Sequence, residues 1–257
     1  METEQFLETL DSEGLLLASA AERAGLDALV PTCPGWRVRD LVGHTGAVHR
    51  WATGFVAEEH TSPRPIADPP GQDSEEGADG DALLRWFREG HRRLVDTLAA
   101  ASPDVRCWGF LPAPSPLAFW ARRQAHETTV HRIDAESALG GTPDPIGAAF
   151  AADGIDELLT GFHVRAKSRV RSDSPRVLRI RVTDGTGGGD AGAPAVWTVR
   201  LSAEPVVTER GDGGDADCEL AGPADQLYLA LWNRRPFPEV RGDAELAALW
   251  RKTSAVV

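Results

Sequence analysis

Apolar residues recur at helical spacing through the first 140 positions of the chain, and the rhythm changes after Ser174. Phe6–Arg23 carries Phe6, Leu7, Leu10, Leu15, Leu17 and Ala20 at intervals that fall on one side of a helix. A Cys33-Pro34-Gly35 turn precedes Val38–Ala57, where Leu41, Val42, Val48, Trp51, Phe55 and Val56 repeat the pattern. Asp81–Ala100 does so again, and Pro116–Leu139 is a fourth segment, stopped by Gly140-Gly141. Four amphipathic segments of about 20 residues predict a four-helix bundle. Antiparallel neighbours need only ~2–8 connecting residues. The link His60–Gly80 is far longer, and rich in Pro, Gly, Asp and Glu. A chain of that length can run the full height of a bundle, so a crossover that leaves helices two and three parallel is expected.

Pro143–Lys167, with Ile155, Leu158, Leu159 and Phe162, reads as one further helix. Beyond it, Val177–Val182 and Val196–Leu201 alternate with period two, the mark of half-buried strands. A Gly-rich hairpin loop, Asp184–Asp190, separates them. Pro205–Arg210 and Ala216–Leu220 read as short strands, and Pro223–Trp232 and Ala244–Trp250 as helices. The expectation is an α+β protein: a helical bundle over 1–168 and a small α+β domain over 169–257.

Composition narrows the function. The chain has 257 residues, 27 Lys+Arg against 39 Asp+Glu, and a formal charge of −12, which argues against nucleic acid as a partner. No apolar run approaches the ~20 residues of a membrane-spanning helix. The opening Met-Glu-Thr-Glu-Gln-Phe lacks a basic region followed by an apolar run, so no signal peptide is expected and the predicted location is the cytoplasm. Cys33, Cys107 and Cys218 are far apart and form no Cys-x-x-Cys pair; they read as packing residues rather than a disulfide framework or a zinc knuckle. The Gly/Asp loops lack the ligand alternation of a calcium loop and read as solvated turns.

The histidines carry the candidate chemistry. Glu127 and His131 are four apart on the fourth helix, about 40° from one another around its axis. Asp134 lies three residues further along the same stripe. An isolated Glu-x-x-x-His is usually a surface pair. Here Thr129 and Val130 indicate a partly buried helix, and helix two offers His44 among the small residues Gly43, Thr45, Gly46 and Ala47. His44, Glu127 and His131 together give two imidazoles and a carboxylate, a set that suits Zn²⁺ or another divalent ion with a fourth position open for catalysis. Asp134 is placed to accept a hydrogen bond from a ligand histidine or to contact a polar substrate. His49 falls on another face, and His126 is a poorer ligand than His131.

These residues resemble a family. Thr32-Cys-Pro-Gly-Trp-Arg-Val-Arg-Asp-Leu-Val-Gly-His44 and Arg123-Gln-Ala-His-Glu127-Thr-Thr-Val-His131-Arg-Ile-Asp134 are similar to two signatures of the mycothiol-dependent maleylpyruvate isomerase family. Gly222–Arg234, ending Leu-Trp-Asn-Arg, and Val240-Arg-Gly-Asp243 resemble its C-terminal domain. The resemblance implies a DinB-like four-helix bundle, a sterol-carrier-like C-terminal domain, and zinc held by His44, Glu127 and His131. It also implies mycothiol as cofactor, with Asp134 and Arg234 contacting thiol or substrate, and a thiol transferase or isomerase acting on a small electrophile. No residue selects maleylpyruvate. A zinc-dependent hydrolase using Asp134 or His49 as base, and a non-catalytic metal- or thiol-binding protein, are the competing expectations. Trp36 is a candidate wall of the pocket.

Overall fold

Helix α1 (Thr3–Ala24) starts where the Glu2 backbone N–H donates to Gln5 Oε1 at 2.9 Å, and α2 (Val38–Ala57) where that of Arg37 donates to Asp40 Oδ2 at 2.7 Å. Helix α4 (Pro116–Ser137) begins at Ser115, whose Oγ accepts from Ala118 N at 3.1 Å, with Pro116 in the first turn, where its missing N–H costs nothing. Together with α3 (Gly80–Ala100) these helices form the first of two units, Met1–Asp144, in a computed structural model that describes residues 1–70, 80–184 and 195–256.

Side-chain pairs fix the helix directions. Helices α1 and α4 are parallel, since Phe6 meets His126 and Glu13 meets Arg132 further along both. Helices α2 and α3 are parallel too, because Gly46 faces Trp86 and Arg50 faces Gly90. The remaining neighbours are antiparallel: His44 meets His131 whereas Phe55 meets Trp120, and His91 meets Leu10 whereas Arg88 meets Glu22. Spatially the order around the bundle is α1-α4-α2-α3.

The expected crossover follows from this. Its described part doubles back along α2: His60 N–H donates to the Phe55 carbonyl at 3.2 Å, Trp51 Nε1 to the Arg64 carbonyl at 2.8 Å, and Pro69 lies against Gly43. Residues 71–79 of that link lie outside the described residues. Close helix approach needs glycine at two points. A Cβ on Gly46 would stand 2.3 Å from the Trp86 indole, and one on Gly14 would stand 2.2 Å from His91 Nε2.

The second unit, Pro145–Val257, opens with α5 (Ala148–Asp156) and a π-helical turn, Glu157–Phe162, rather than one regular helix from 143 to 167. Pro143 and Pro145 keep the approach extended. The units divide before α5, ahead of the expected 168/169 boundary, because α5 packs on α6 (Ala224–Leu231), with Phe150 edge-on to Tyr228 at 6.4 Å.

Strands β1 (Arg176–Val182), β2 (Val196–Leu201), β3 (Val207–Arg210), β4 (Cys218–Gly222) and β5 (Glu239–Gly242) form a sheet ordered β3-β2-β1-β4-β5. The β1–β4 pair is parallel and the other pairs are antiparallel. Leu178, Ile180, Val182, Trp197, Val199 and Leu220 are buried on the inner face. Arg179 and Arg181 point the other way, to Glu219 on β4. The loop expected between β1 and β2 falls largely outside the described residues, at 185–194. Helix α7 (Ala244–Thr253) is capped by Asp243, which accepts from Glu245 N at 2.8 Å.

Five histidines are buried, His49, His91, His126, His131 and His163, and burial depresses three of them. Burial, then the neighbouring His91, holds His49 well below its ordinary value; burial also lowers His91, and it pushes His163 down to about 4. Below pH 6.5 the unfolded chain takes up protons that the folded chain refuses, so stability falls progressively as pH drops from 6.5 to about 4. His163 alone accounts for about 3 kcal/mol of that loss. Urea unfolding above pH 6.5 and at about pH 4 should show it, and His163→Phe should remove its share; equal stability at both ends of the range would contradict it.

Candidate metal centre

Helix α4 is buried on nearly every side although much of it is polar, with Arg123, Thr128, His131, Arg132 and Asp134 all enclosed. Polar side chains in such a place need partners, and the partners define the site. Glu127 Oε1 lies 3.2 Å from His131 Nε2, one turn along α4, and 3.4 Å from His44 Nε2, arriving from antiparallel α2. Its other oxygen accepts from Arg123 Nη2 at 3.2 Å. Both imidazoles thus present Nε2 to a single carboxylate oxygen.

His131 is held from behind. Its Nδ1 sits 2.9 Å from Asp134 Oδ2, which fixes the ring proton on Nδ1 and leaves Nε2 directed at Glu127. Asp134 in turn accepts from Thr32 Oγ1 at 2.6 Å and from the Cys33 thiol at 3.3 Å, both in the turn ahead of α2. Trp36 follows that turn. Its indole lies 5.1 Å from the His44 ring and stacks at 6.3 Å on His131.

The charges reflect this arrangement. Burial opposes ionisation of Glu127, but hydrogen bonds from His131 and His44, and the nearby cations, hold its carboxyl well below the ordinary range. Burial likewise opposes a charged His131, yet Asp134 and Glu127 outweigh it and raise the imidazole to about 9.

The donor set fits a divalent ion. One ligand atom from each of His44, Glu127 and His131 lies within 4.8 Å of the others, and among the described residues these form the only such group of His, Cys, Asp and Glu. Their side chains are 38%, 22% and 10% accessible, so the cluster is open to solvent on the His44 side.

The remaining candidates stand apart. His49 is fully buried with Nε2 2.9 Å from Thr128 Oγ1, His126 is buried against Phe6, and His60 pairs with Glu58 at 3.0 Å. Asp134, expected to contact a thiol or substrate, has no exposed surface and three donors of its own, so it acts on His131 instead. Arg234 belongs to the second unit, where its guanidinium donates to the Trp232 carbonyl at 2.9 Å. Cys218 is buried and pushed up to about 11, and burial also raises Cys107, in keeping with packing roles. Arg123, Thr32 and Cys33 were not anticipated as parts of the site. The i, i+4 spacing of Arg123 and Glu127 was the available signal for the first.

Comparison with known proteins gives two kinds of match. The sequence matches the profile described as "Mycothiol maleylpyruvate isomerase N-terminal domain" over residues 7–136, and the one described as "MDMPI C-terminal domain" over residues 149–249. Two solved structures resemble the fold: a mycothiol-dependent maleylpyruvate isomerase and a histidine-to-alanine mutant of a mycothiol-dependent maleylpyruvate isomerase. The mutant aligns with a TM-score of 0.60 at 14% identity, covering 91% of this chain and 90% of that one. The other aligns at 0.56 and 14%, covering 91% and 89%. No curated protein matches the sequence.

Proposed function

Since the chain belongs to the mycothiol maleylpyruvate isomerase family, we propose that it is a metal-dependent isomerase or S-transferase that uses mycothiol on a small electrophilic substrate. His44, Glu127 and His131 hold the ion, and two imidazoles with one carboxylate suit zinc. The observation that carries this reading is the convergence of His44 Nε2 and His131 Nε2, at 3.4 and 3.2 Å, on one oxygen of Glu127.

A bound divalent cation would supply the charge that favours a thiolate over a thiol, whose free pKa is near ~8.5, at neutral pH. The protein's part is positional. Asp134 keeps the proton of His131 on Nδ1, so that Nε2 presents its lone pair to the site. Arg123 secures the far oxygen of Glu127 and leaves the near one for the ion. Trp36 covers the two imidazoles with an apolar surface, which thins the water around a small reactant. With three donors from the protein, a divalent ion held there would keep a corner for the thiol, and His44 is the most exposed of the three.

A hydrolase on the same centre would need a free base next to that corner. Asp134 is saturated with donors and His49 is buried on Thr128, so neither supplies one.

Two measurements test the reading. Calorimetric titration of the zinc-loaded protein with mycothiol should show saturable binding that His44→Ala abolishes; absence of binding with zinc demonstrably present removes the thiol from the proposal. Asp134→Asn keeps the side-chain shape but loses its charge. It should weaken metal binding by about 10–100-fold, the usual effect of losing a residue that orients a ligand histidine. Competition against a chromophoric chelator reads this directly, and an unchanged affinity would show that Asp134 does not orient His131.

A further inference from the structure

The turn ahead of α2 is braced by its own backbone. Cys33 N–H donates to the Val30 carbonyl at 3.0 Å, Trp36 N–H to the Cys33 carbonyl at 3.0 Å, and Val30 N–H to the Trp36 carbonyl at 2.9 Å. Val38 N–H to the Ala28 carbonyl and Arg39 N–H to the Leu26 carbonyl, both at 2.9 Å, tie the same segment to the first residues of α2. Thr32 therefore sits on a loop fixed to the helix that carries His44.

From that loop Thr32 reaches the helix that carries Glu127 and His131. Its Oγ1 donates to Asp134 Oδ1 at 2.6 Å, the short distance of a hydroxyl bonded to a carboxylate. The other oxygen, Oδ2, takes His131 Nδ1–H at 2.9 Å and the Cys33 thiol at 3.3 Å, and a thiol is a weak donor. Ser137 Oγ lies 3.2 Å from Thr32 Oγ1 but donates to the Asp134 carbonyl at 2.7 Å, so it does not take the place of Thr32 on the carboxylate. The last torsion of an Asp side chain is broad and roughly two-fold. Oδ2 thus keeps its place on the imidazole while Oδ1 is pinned. Asp134 has no exposed surface, so bulk water is not at hand to replace a lost donor.

We propose that Thr32 is a positioning residue of the metal centre: its hydroxyl pins Asp134 Oδ1, and so holds Oδ2 on His131 Nδ1 and fixes the imidazole of α4 relative to His44 on α2. The proposal rests on the reading of His44, Glu127 and His131 as the metal ligands. Thr32 acts through Asp134 and touches none of the three. Two ligand histidines from different helices are thereby referred to one loop, which also carries Trp36 against both rings.

The test uses the full-length protein. Thr32→Val keeps the shape and loses the donor, and Thr32→Ser keeps the donor and loses the methyl. Thr32→Ala differs from Thr32→Ser by the hydroxyl alone, and that pair decides the matter if Thr32→Val does not fold. In metal-free protein with ¹⁵N-labelled histidine, the His131 Nδ1–H proton, assigned by its absence in His131→Gln, should resonate far downfield. It should move upfield in the Val and Ala variants and return in the Ser variant. Zinc affinity, read by competition with a chromophoric chelator, should fall about tenfold with Val or Ala and stay within about twofold with Ser. A resonance or an affinity that Val and Ala leave unchanged, or a Ser variant that behaves as Ala does, overturns the proposal. If the unsubstituted protein binds no zinc, the metal reading fails and this proposal with it; zinc binding indifferent to the hydroxyl overturns this proposal alone.

Discussion

Glu127→Gln is expected to abolish stoichiometric metal binding and to lower turnover on the order of a thousandfold or more, since a bound Lewis acid supplies several kcal/mol to a reaction of this kind. Gln keeps the volume of Glu127 and one acceptor oxygen, so the surroundings of Arg123 and of both histidines are nearly preserved. What is lost is the negative charge on which His44 and His131 converge from two helices. The metal-free site is also protonated. With His131 at about 9, an incoming cation must displace its proton, so apparent metal affinity in the unsubstituted protein should rise by about tenfold per pH unit until that value is reached. Metal analysis of the purified variant, and turnover with mycothiol present, give both numbers. A variant that retains a full equivalent of metal would exclude Glu127 as a ligand.

Arg132→Ala is expected to destabilise the first unit by about 3–5 kcal/mol, the cost of removing one partner from a buried ion network. Arg132 is 1% exposed. Its guanidinium reaches both oxygens of Glu13 on α1, at 2.6 and 3.2 Å, and Glu136 on its own helix at 2.8 Å. It also donates to the Asp144 carbonyl at 2.7 Å, and Glu136 accepts from Asp144 N at 2.9 Å. One side chain therefore sets the register of parallel α1 and α4 and anchors the chain where it leaves the unit. Burial already raises the Glu13 carboxyl despite Arg132 beside it. Without the guanidinium, Glu13 faces burial uncompensated, so the deficit should shrink as pH falls and its carboxyl takes up a proton. Urea unfolding of both proteins across pH measures it, and a loss under about 1 kcal/mol would place the network with ordinary surface pairs.

The helical rhythm revealed α1–α3 because each buries an apolar side, whereas α4, buried nearly all round and largely polar, is marked by its bounds at Pro116 and Gly140-Gly141; the length of the α2–α3 link revealed that those two helices run parallel. Glu127 and His131 were legible because they share one helix, where spacing alone determines proximity. His44 was legible through its small neighbours, and Gly46 does admit Trp86. Other features depend on contacts distant in sequence. Thr32 and Cys33 reach Asp134 across about a hundred residues, which no local period records. Strand β5 has four exposed residues and no alternation; it is ordered by pairing with β4. Helix α5 has an apolar pattern equally suited to either unit, and its packing on α6 decides between them. The switch to a π-helical turn at Glu157 has no counterpart in the pattern of apolar residues.

The measurement closest to the central proposal is X-ray absorption at the zinc edge, on the zinc-loaded full-length protein and on its His44→Ala variant. The expected first shell holds two imidazole nitrogens and a carboxylate oxygen at ~2.0–2.2 Å, with a further light atom that a thiol replaces by sulfur at ~2.3 Å. In the variant, one imidazole should vanish. A shell closed by four protein donors, or one that His44→Ala leaves unaltered, would contradict the assignment of this centre.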